Sequence, residues 1–274
     1  DSLFMRVKTV YDMRDSLNLD KEDARLLEKI YKSFAENGAN LPADKKEEYK
    51  QVLQKLSLAS LKFSENVLAA TNAFILNITD STDLAGLPQF VIDGAALEAK
   101  NRGLEGWAIT LQYPSMGPFM QYSENRTLKE KVWRAYNTRA IGGEFDNQSV
   151  VKEIIGLRIK AANIMGFPTY ADMALRDRMA KNAETVNSFL ADLLDKSLPY
   201  AKRDVEAIQK YANENGFEGK LMPWDFSYYS EKLKHEKYSI NDELLKPYFK
   251  LENVIDAVFH LADTLYGLKF QPIE

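Results

Sequence analysis

His235 and His260 are the only two imidazoles in a chain of 274 residues that contains no cysteine. Without thiols, disulfide scaffolds, iron–sulfur clusters, thiolate zinc sites and cysteine nucleophiles are excluded. His235–Glu236 begins as a zinc-peptidase helix does, in which two histidines one turn apart grip the metal and the glutamate activates water. The second ligand is missing, because position 239 is Ser. What remains for a metal is His235 paired with His260 and one carboxylate. The simpler assignment makes His235 a solvent-facing residue near a helix C-terminus, where positive charge suits the dipole. On the same reading His260, among Val258, Phe259 and Leu261, is packed and hydrogen-bonded. A binuclear carboxylate bundle needs Glu-x-x-His pairs on facing helices, but Lys232 and Ala257 stand three residues before the two histidines. No metal or catalytic residue is assigned.

Other chemistry is also absent from the residue spacing. Gly219–Lys220 is the only Gly–Lys pair, yet Glu214 stands where a phosphate loop needs its first glycine, and no two glycines lie two apart. Phosphate and dinucleotide cradles are thereby excluded. Ser115 has Gly117 after it but Tyr113 before it, so it forms no nucleophile elbow. With 40 acidic residues, chance carboxylate pairs are common and single out nothing. The basic residues Arg126, Lys129, Lys131, Arg134 and Arg139 are interleaved with acids and read as a solvated helix face. Trp224, Tyr228 and Tyr229 could stack a ligand, but core or inter-helix packing is the simpler reading. The Asn-x-Ser/Thr triplets at Asn77, Asn125 and Asn147 matter only in a glycosylating compartment.

The elements that must position these residues are mostly helices. Gly and Pro are scarce (13 and 9 residues), which disfavours turn-rich β folds and disorder. Lys and Arg number 36 against 40 Asp and Glu, with no basic tail, so nucleic acid is not an expected partner. No apolar run approaches the ~18 residues of a membrane span, and no signal-peptide pattern precedes the first helix. The reading is a soluble domain, a piece cut from a longer chain.

Apolar spacing places helices over 3–16, from an Asp20 cap to Gly38, and from Pro42 through at least seven turns. The second of these is expected to bury Ala24, Leu27, Ile30, Tyr31 and Phe34. Alternation at Phe74, Leu76 and Ile78 and at Trp107, Ile109 and Leu111 predicts a small two-stranded element. A short helix over 88–102 lies between, a bend follows at Pro114–Pro118, and a helix spans 124–140. Beyond it, helices are expected over 147–165, 168–177, 182–215 with a kink at Pro199, 223–235, 241–249 and 251–266. The fold class is mainly α, a multi-helix array with long antiparallel helices and a small β element. The division drawn is 1–140, an N-terminal helical lobe segment, and 141–274, the start of a helical second region.

Several segments carry a resemblance. Ser16-Leu17-Asn18-Leu19, Gly38-Ala39-Asn40-Leu41-Pro42, Phe63-Ser64-Glu65-Asn66-Val67 and Leu84-Ala85-Gly86-Leu87-Pro88 occur in the first half. Met165-Gly166-Phe167, Tyr170-Ala171-Asp172, Met179-Ala180-Lys181, Pro223-Trp224-Asp225, Pro247-Tyr248-Phe249 and Leu265-Tyr266-Gly267 follow in the second. In this order they resemble the thimet-type zinc oligopeptidases of the M3 family across the whole chain. The link Arg139-Ala140-Ile141-Gly142-Gly143 to Asp146-Asn147 resembles the peptidyl-dipeptidase (dipeptidyl carboxypeptidase) branch. The resemblance implies a two-lobed zincin-type oligopeptidase around a narrow channel, a zinc-bound water attacking short peptides, and a monomeric full-length enzyme in the cytoplasm or periplasm. The family's H-E-x-x-H helix lies C-terminal to the matched region. The expectation is therefore a folded, inactive, zinc-free piece of a metallopeptidase that forms channel wall, with exposed apolar surface where the remainder of its polypeptide docks. A stand-alone helical interaction module is the alternative.

Overall fold

The computed structural model describes residues 2–239 and 245–273. Eleven α-helices and a two-stranded antiparallel sheet occur among them, so the fold is mainly α, as the apolar spacing predicts. The helices are α1 (Ser2–Asp12), α2 (Lys21–Glu36), α3 (Ala43–Ala73), α4 (Gln89–Asn101), α5 (Tyr113–Tyr122) and α6 (Arg126–Asn137). They continue as α7 (Gln148–Ile164), α8 (Tyr170–Leu175), α9 (Ala183–Glu214), α10 (Phe226–Tyr238) and α11 (Leu251–Tyr266). Strands β1 (Ile75–Ile78) and β2 (Trp107–Thr110) form the sheet.

Local chemistry sets the boundaries. The Asp20 carboxylate accepts from the Glu22 and Asp23 amides, satisfying two of the donors that a helix start leaves unpaired. Pro42 precedes α3, whose 31 residues extend about 46 Å at 1.5 Å per residue. Asn125 Oδ1 accepts from the Leu128 amide at 3.0 Å, so α6 starts at Arg126 rather than at 124. Gly106, at φ +83°, lets β2 begin beside β1, because a Cβ there would overlap the Ile78 carbonyl oxygen.

The expected bend at Pro114–Pro118 is instead part of α5. Pro114 occupies the first turn, where its missing N–H is not needed, and Pro118 forgoes only the bond to the Pro114 carbonyl. The helix expected over 3–16 ends at Asp12 and is followed by a 3₁₀ turn over Arg14–Ser16. The helix expected over 223–235 runs over Phe226–Tyr238, since Met222–Asp225 form a turn closed by a bond from the Asp225 amide to the Met222 carbonyl. α9 remains helical through Pro199. The helix expected over 241–249 falls largely outside the described residues; Lys246–Tyr248 form a 3₁₀ turn.

The chain divides into two interleaved units. The first comprises Asp1–Leu76, Thr110–Gln112 and Arg134–Ala201. In it α3 packs along α7, and Tyr49, Val52 and Ala161 are sealed by Leu53, Leu157, Ile164 and Met165. Burying a side chain of valine size there contributes about 1.5–3 kcal/mol. α1 packs on α2 through Phe4 against Tyr31 and Phe34 and through a parallel Tyr11–Tyr31 stack at 3.8 Å. On α2, Leu27, Tyr31 and Phe34 are half-buried, but Ala24 and Ile30 are exposed, which narrows the expected buried face. Asn147 bridges α3 and α7: its Oδ1 accepts from Asn66 Nδ2 at 2.9 Å and its Nδ2 donates to the Phe63 carbonyl at 3.0 Å.

The second unit comprises Asn77–Ile109, Tyr113–Trp133 and Lys202–Glu274. Val91, Ala95 and Ala99 of α4, Phe119 and Met120 of α5 and Val132 of α6 are buried in it. α5 packs against both α4 and α10.

Candidate functional site

In the second unit, the start of α6, the Leu221–Asp225 turn and α10 bring together a group of charged and aromatic side chains. Arg126 donates through Nε and Nη2 to the two carboxylate oxygens of Asp225, each at 2.9 Å, and Asp225 is 1% exposed. The planar guanidinium fork suits such bidentate pairing. Asp225 also accepts from the Met222 amide at 2.8 Å, so it closes the turn before α10 and ties that turn to α6. The Arg126 guanidinium lies over the Phe217 and Trp224 rings, 5.6 Å from each centroid. Trp133 meets Trp224 edge-on at 5.7 Å.

Lys129 follows Arg126 by three residues and therefore shares its helix face. It is only 2% exposed, and its ammonium lies 3.8 Å from the centroid of the Tyr228 ring. Lys232, four residues after Tyr228 on α10, places a second ammonium 4.5 Å from the same centroid. Burial pushes the Lys129 amine down to about 8; Asp225 and Glu124 oppose that, while Lys232 and Arg126 add to it. Burial also pulls Lys232 down, but its hydrogen bond to the Tyr228 hydroxyl and neighbouring negative charge leave it above the ordinary lysine value. Burial, with Tyr228 next in effect, raises the Tyr229 hydroxyl; burial and the Glu236 carboxylate raise that of Tyr211.

Tyr228 and Lys232 also wall a cavity of about 520 Å³, completed by Tyr122, Tyr211, Glu124, Glu231, His235 and Glu236. It offers phenol faces, carboxylates and one ammonium, the features of a polar ligand site.

The expected basic face is thus only partly solvated. Lys131 and Arg134 are exposed, but Lys129 is buried and Arg126 is held by Asp225. Arg139 stacks on Tyr136, 3.6 Å from the ring centroid, and donates to Thr71 Oγ1 at 3.3 Å. A sequence signal for Lys129 does exist. It lies three, four and seven residues before Val132, Trp133 and Tyr136, on the apolar stripe of α6. Trp224 is buried, and Tyr228 and Tyr229 are half-buried. Among the sequons, Asn77 is exposed, Asn125 donates to Asp83 Oδ1, and Asn147 is buried in its α3–α7 bridge.

His235 is exposed near the C-terminus of α10, its carbonyl accepting from the Ser239 amide at 2.8 Å. Ser239 has φ +51° and ends α10, so position 239 lies off the helical turn that a zinc-gripping pair requires. His260 is exposed on α11, which corrects the expected packed histidine. Among the described residues no group of three or more His, Asp or Glu could hold a metal ion.

A sequence model of peptidase family M3 matches residues 119–274, more than half of the chain. The chain belongs to peptidase family M3. It is 34% identical to oligopeptidase A of Escherichia coli over 269 residues, covering 95% of this chain and 40% of that protein. It is 36% identical to oligopeptidase A of Haemophilus influenzae over 250 residues, covering 89% of this chain and 37% of that protein. With dipeptidyl carboxypeptidase of Escherichia coli it shares 31% identity over 271 residues, 98% of this chain and 40% of that protein. The chain spans about two fifths of the length of these curated relatives. M3 peptidases are zinc enzymes, and the residues present here do not fit that ion: one exposed imidazole beside Glu236 and a second on α11 make no tetrahedral donor set. Among the described residues no helix is long and apolar enough to cross a membrane.

Proposed function

We propose that this M3 chain supplies helical, non-catalytic scaffold to a cytoplasmic zinc peptidase that hydrolyses short peptides. Residues 1–140 form part of one lobe and residues 141–274 open the peptidase region. The observation that carries the reading is a match over nearly the whole chain to relatives more than twice its length, with no H-E-x-x-H anywhere in its own sequence. The apolar side chains of α9 and α11 support it. Phe189, Leu190, Leu193 and Leu194 of α9, and Leu251, Val254, Val258, Leu261 and Leu265 of α11, are all exposed. Those of α11 recur at spacings of three and four, the stripe of a helix that packs on a partner. The remaining polypeptide of the peptidase covers these stripes, and the assembled enzyme is a monomer.

The test is elemental analysis of the 274-residue chain together with its incubation with a short peptide. The expected outcome is no stoichiometric zinc and no cleavage. Stoichiometric zinc with peptide hydrolysis would overturn it.

A second reading concerns the position of cleavage. The 139–147 link resembles dipeptidyl carboxypeptidases and favours release of C-terminal dipeptides. The oligopeptidase A relatives share 34–36% identity, against 31% for dipeptidyl carboxypeptidase. Internal cleavage therefore stands beside dipeptide release, and mass spectrometry of the products of the complete enzyme separates the two.

A further inference from the structure

We propose that the cavity of about 520 Å³ beside α10 binds a small primary alkylammonium ion, received by Glu236 among the phenol rings of Tyr122, Tyr211 and Tyr228. Its whole lining belongs to the second unit. On α10, Glu231, Lys232, His235 and Glu236 follow Tyr228 by three, four, seven and eight residues, so one helix face lines the cavity with charge and an aromatic ring. Tyr122 at the end of α5, Glu124 just after it and Tyr211 of α9 supply further walls. The Glu124 amide donates to the Ala85 carbonyl at 3.0 Å, and Gly86, at φ +83°, lies so close that a Cβ there would overlap the Tyr122 carbonyl oxygen. That wall is fixed before a ligand arrives, which lowers the ordering cost of binding.

The chemistry of the lining selects a cation. With His235 neutral it carries three carboxylates, those of Glu124, Glu231 and Glu236, against the single ammonium of Lys232. Glu231 lies 3.4 Å from Lys234, and Glu124 is a source of negative charge near Lys232. Glu236 accepts from the hydroxyl of Tyr211, a residue only 9% exposed, so its carboxylate is held in place without being neutralised. Lys232 is engaged with Tyr228, its ammonium 4.5 Å from the ring centroid and bonded to the hydroxyl, and is not free to receive an anion. An entering ammonium group donates to Glu236, and the negative faces of the phenol rings attract it further. A neutral molecule of the same shape gains neither interaction, and an anion is repelled by the excess of carboxylates.

The experiment titrates the ¹⁵N-labelled protein with pentylammonium at about pH 8, where an ordinary imidazole is neutral, and follows the backbone amides by NMR. Pentan-1-ol and pentanoate are the neutral and anionic probes of the same length. The expected result is saturable shifts centred on Gly86, Glu124 and residues 231–236, with both control probes binding severalfold more weakly. Glu236→Gln, an exposed and nearly isosteric change, should weaken pentylammonium severalfold and leave pentan-1-ol unaltered, whereas Asp192→Asn on the exposed part of α9 should change neither. Nα-acetyl-lysine amide carries the same ammonium on a peptide-like body: affinity equal to that of pentylammonium identifies a peptide side chain as the source, and weaker binding identifies a free amine. Absence of saturable shifts at these amides, equal binding of pentan-1-ol, tighter binding of pentanoate, or full affinity in Glu236→Gln would overturn the proposal. The wild-type comparison among probes needs no variant, and none of these readouts depends on peptidase activity.

Discussion

Replacing Lys129 by Met is expected to stabilise the protein, against the usual effect of altering a buried residue. The ordinary lysine value is 10.5 and the folded value is about 8, lowered chiefly by burial. At 1.36 kcal/mol per pKa unit, the gap of 2.5 corresponds to about 3 kcal/mol disfavouring the protonated native state. The folded value is the lower one, so between pH 8 and 10.5 the unfolded chain binds the extra proton and wild-type stability rises with pH. Below pH 8 both states are protonated and the penalty is present in full. Methionine keeps an unbranched side chain of similar reach but forgoes the cation–π contact, worth ~1–2 kcal/mol when desolvated. The net expectation at pH 7 is a gain of about 1–2 kcal/mol. Urea unfolding measures it. Between pH 7 and 9 the wild type should gain about 1 kcal/mol on the variant. A variant that is less stable at pH 7, or a difference that does not change by pH 9, would refute the view that Lys129 is a buried cation held against its desolvation cost.

Arg126→Ala should destabilise by about 3 kcal/mol in the same assay, because it leaves the Asp225 carboxylate buried with only the Met222 amide. The side chain of Arg126 is 45% exposed, which keeps the loss at the lower end of the range for buried pairs. Asn147→Ala removes both bonds of the α3–α7 bridge and should cost about 2–3 kcal/mol; a change below about 0.5 kcal/mol would contradict the bridge. Gly106→Ala should cost more than about 2 kcal/mol and raise amide exchange along β1 and β2, since its Cβ meets the Ile78 carbonyl at a positive φ.

Helix identity was legible wherever a cap or terminator and an apolar stripe coincided. Asp20 before α2, Pro42 before α3 and Gly267 after α11 mark ends that backbone hydrogen bonding alone requires. The sequence misled where a residue's usual role was taken up elsewhere. Pro118 reads as a breaker but sits one turn into a short helix, where it forgoes a single bond. Asp225 reads as part of a helix start, yet its carboxylate serves Arg126 and the Met222 amide, and α10 begins after it. Ile30 and His260 lie on apolar stripes whose burial depends on partners that periodicity does not name.

The candidate site was the least legible part. By charge Lys129 groups with Arg126 and Arg134, although its register with Val132, Trp133 and Tyr136 places it on the buried side. Trp224 is buried and meets Trp133 edge-on, but nothing local reveals that two lysines approach the Tyr228 ring from two helices. Such clusters arise from tertiary packing between segments about a hundred residues apart, a separation over which neither propensity nor periodicity carries information.

The most direct test of the scaffold assignment is the coding sequence that continues in frame after Glu274 in the native transcript. An H-E-x-x-H helix encoded there is the predicted result. A stop codon directly after Glu274 would contradict it and leave a self-contained helical interaction module.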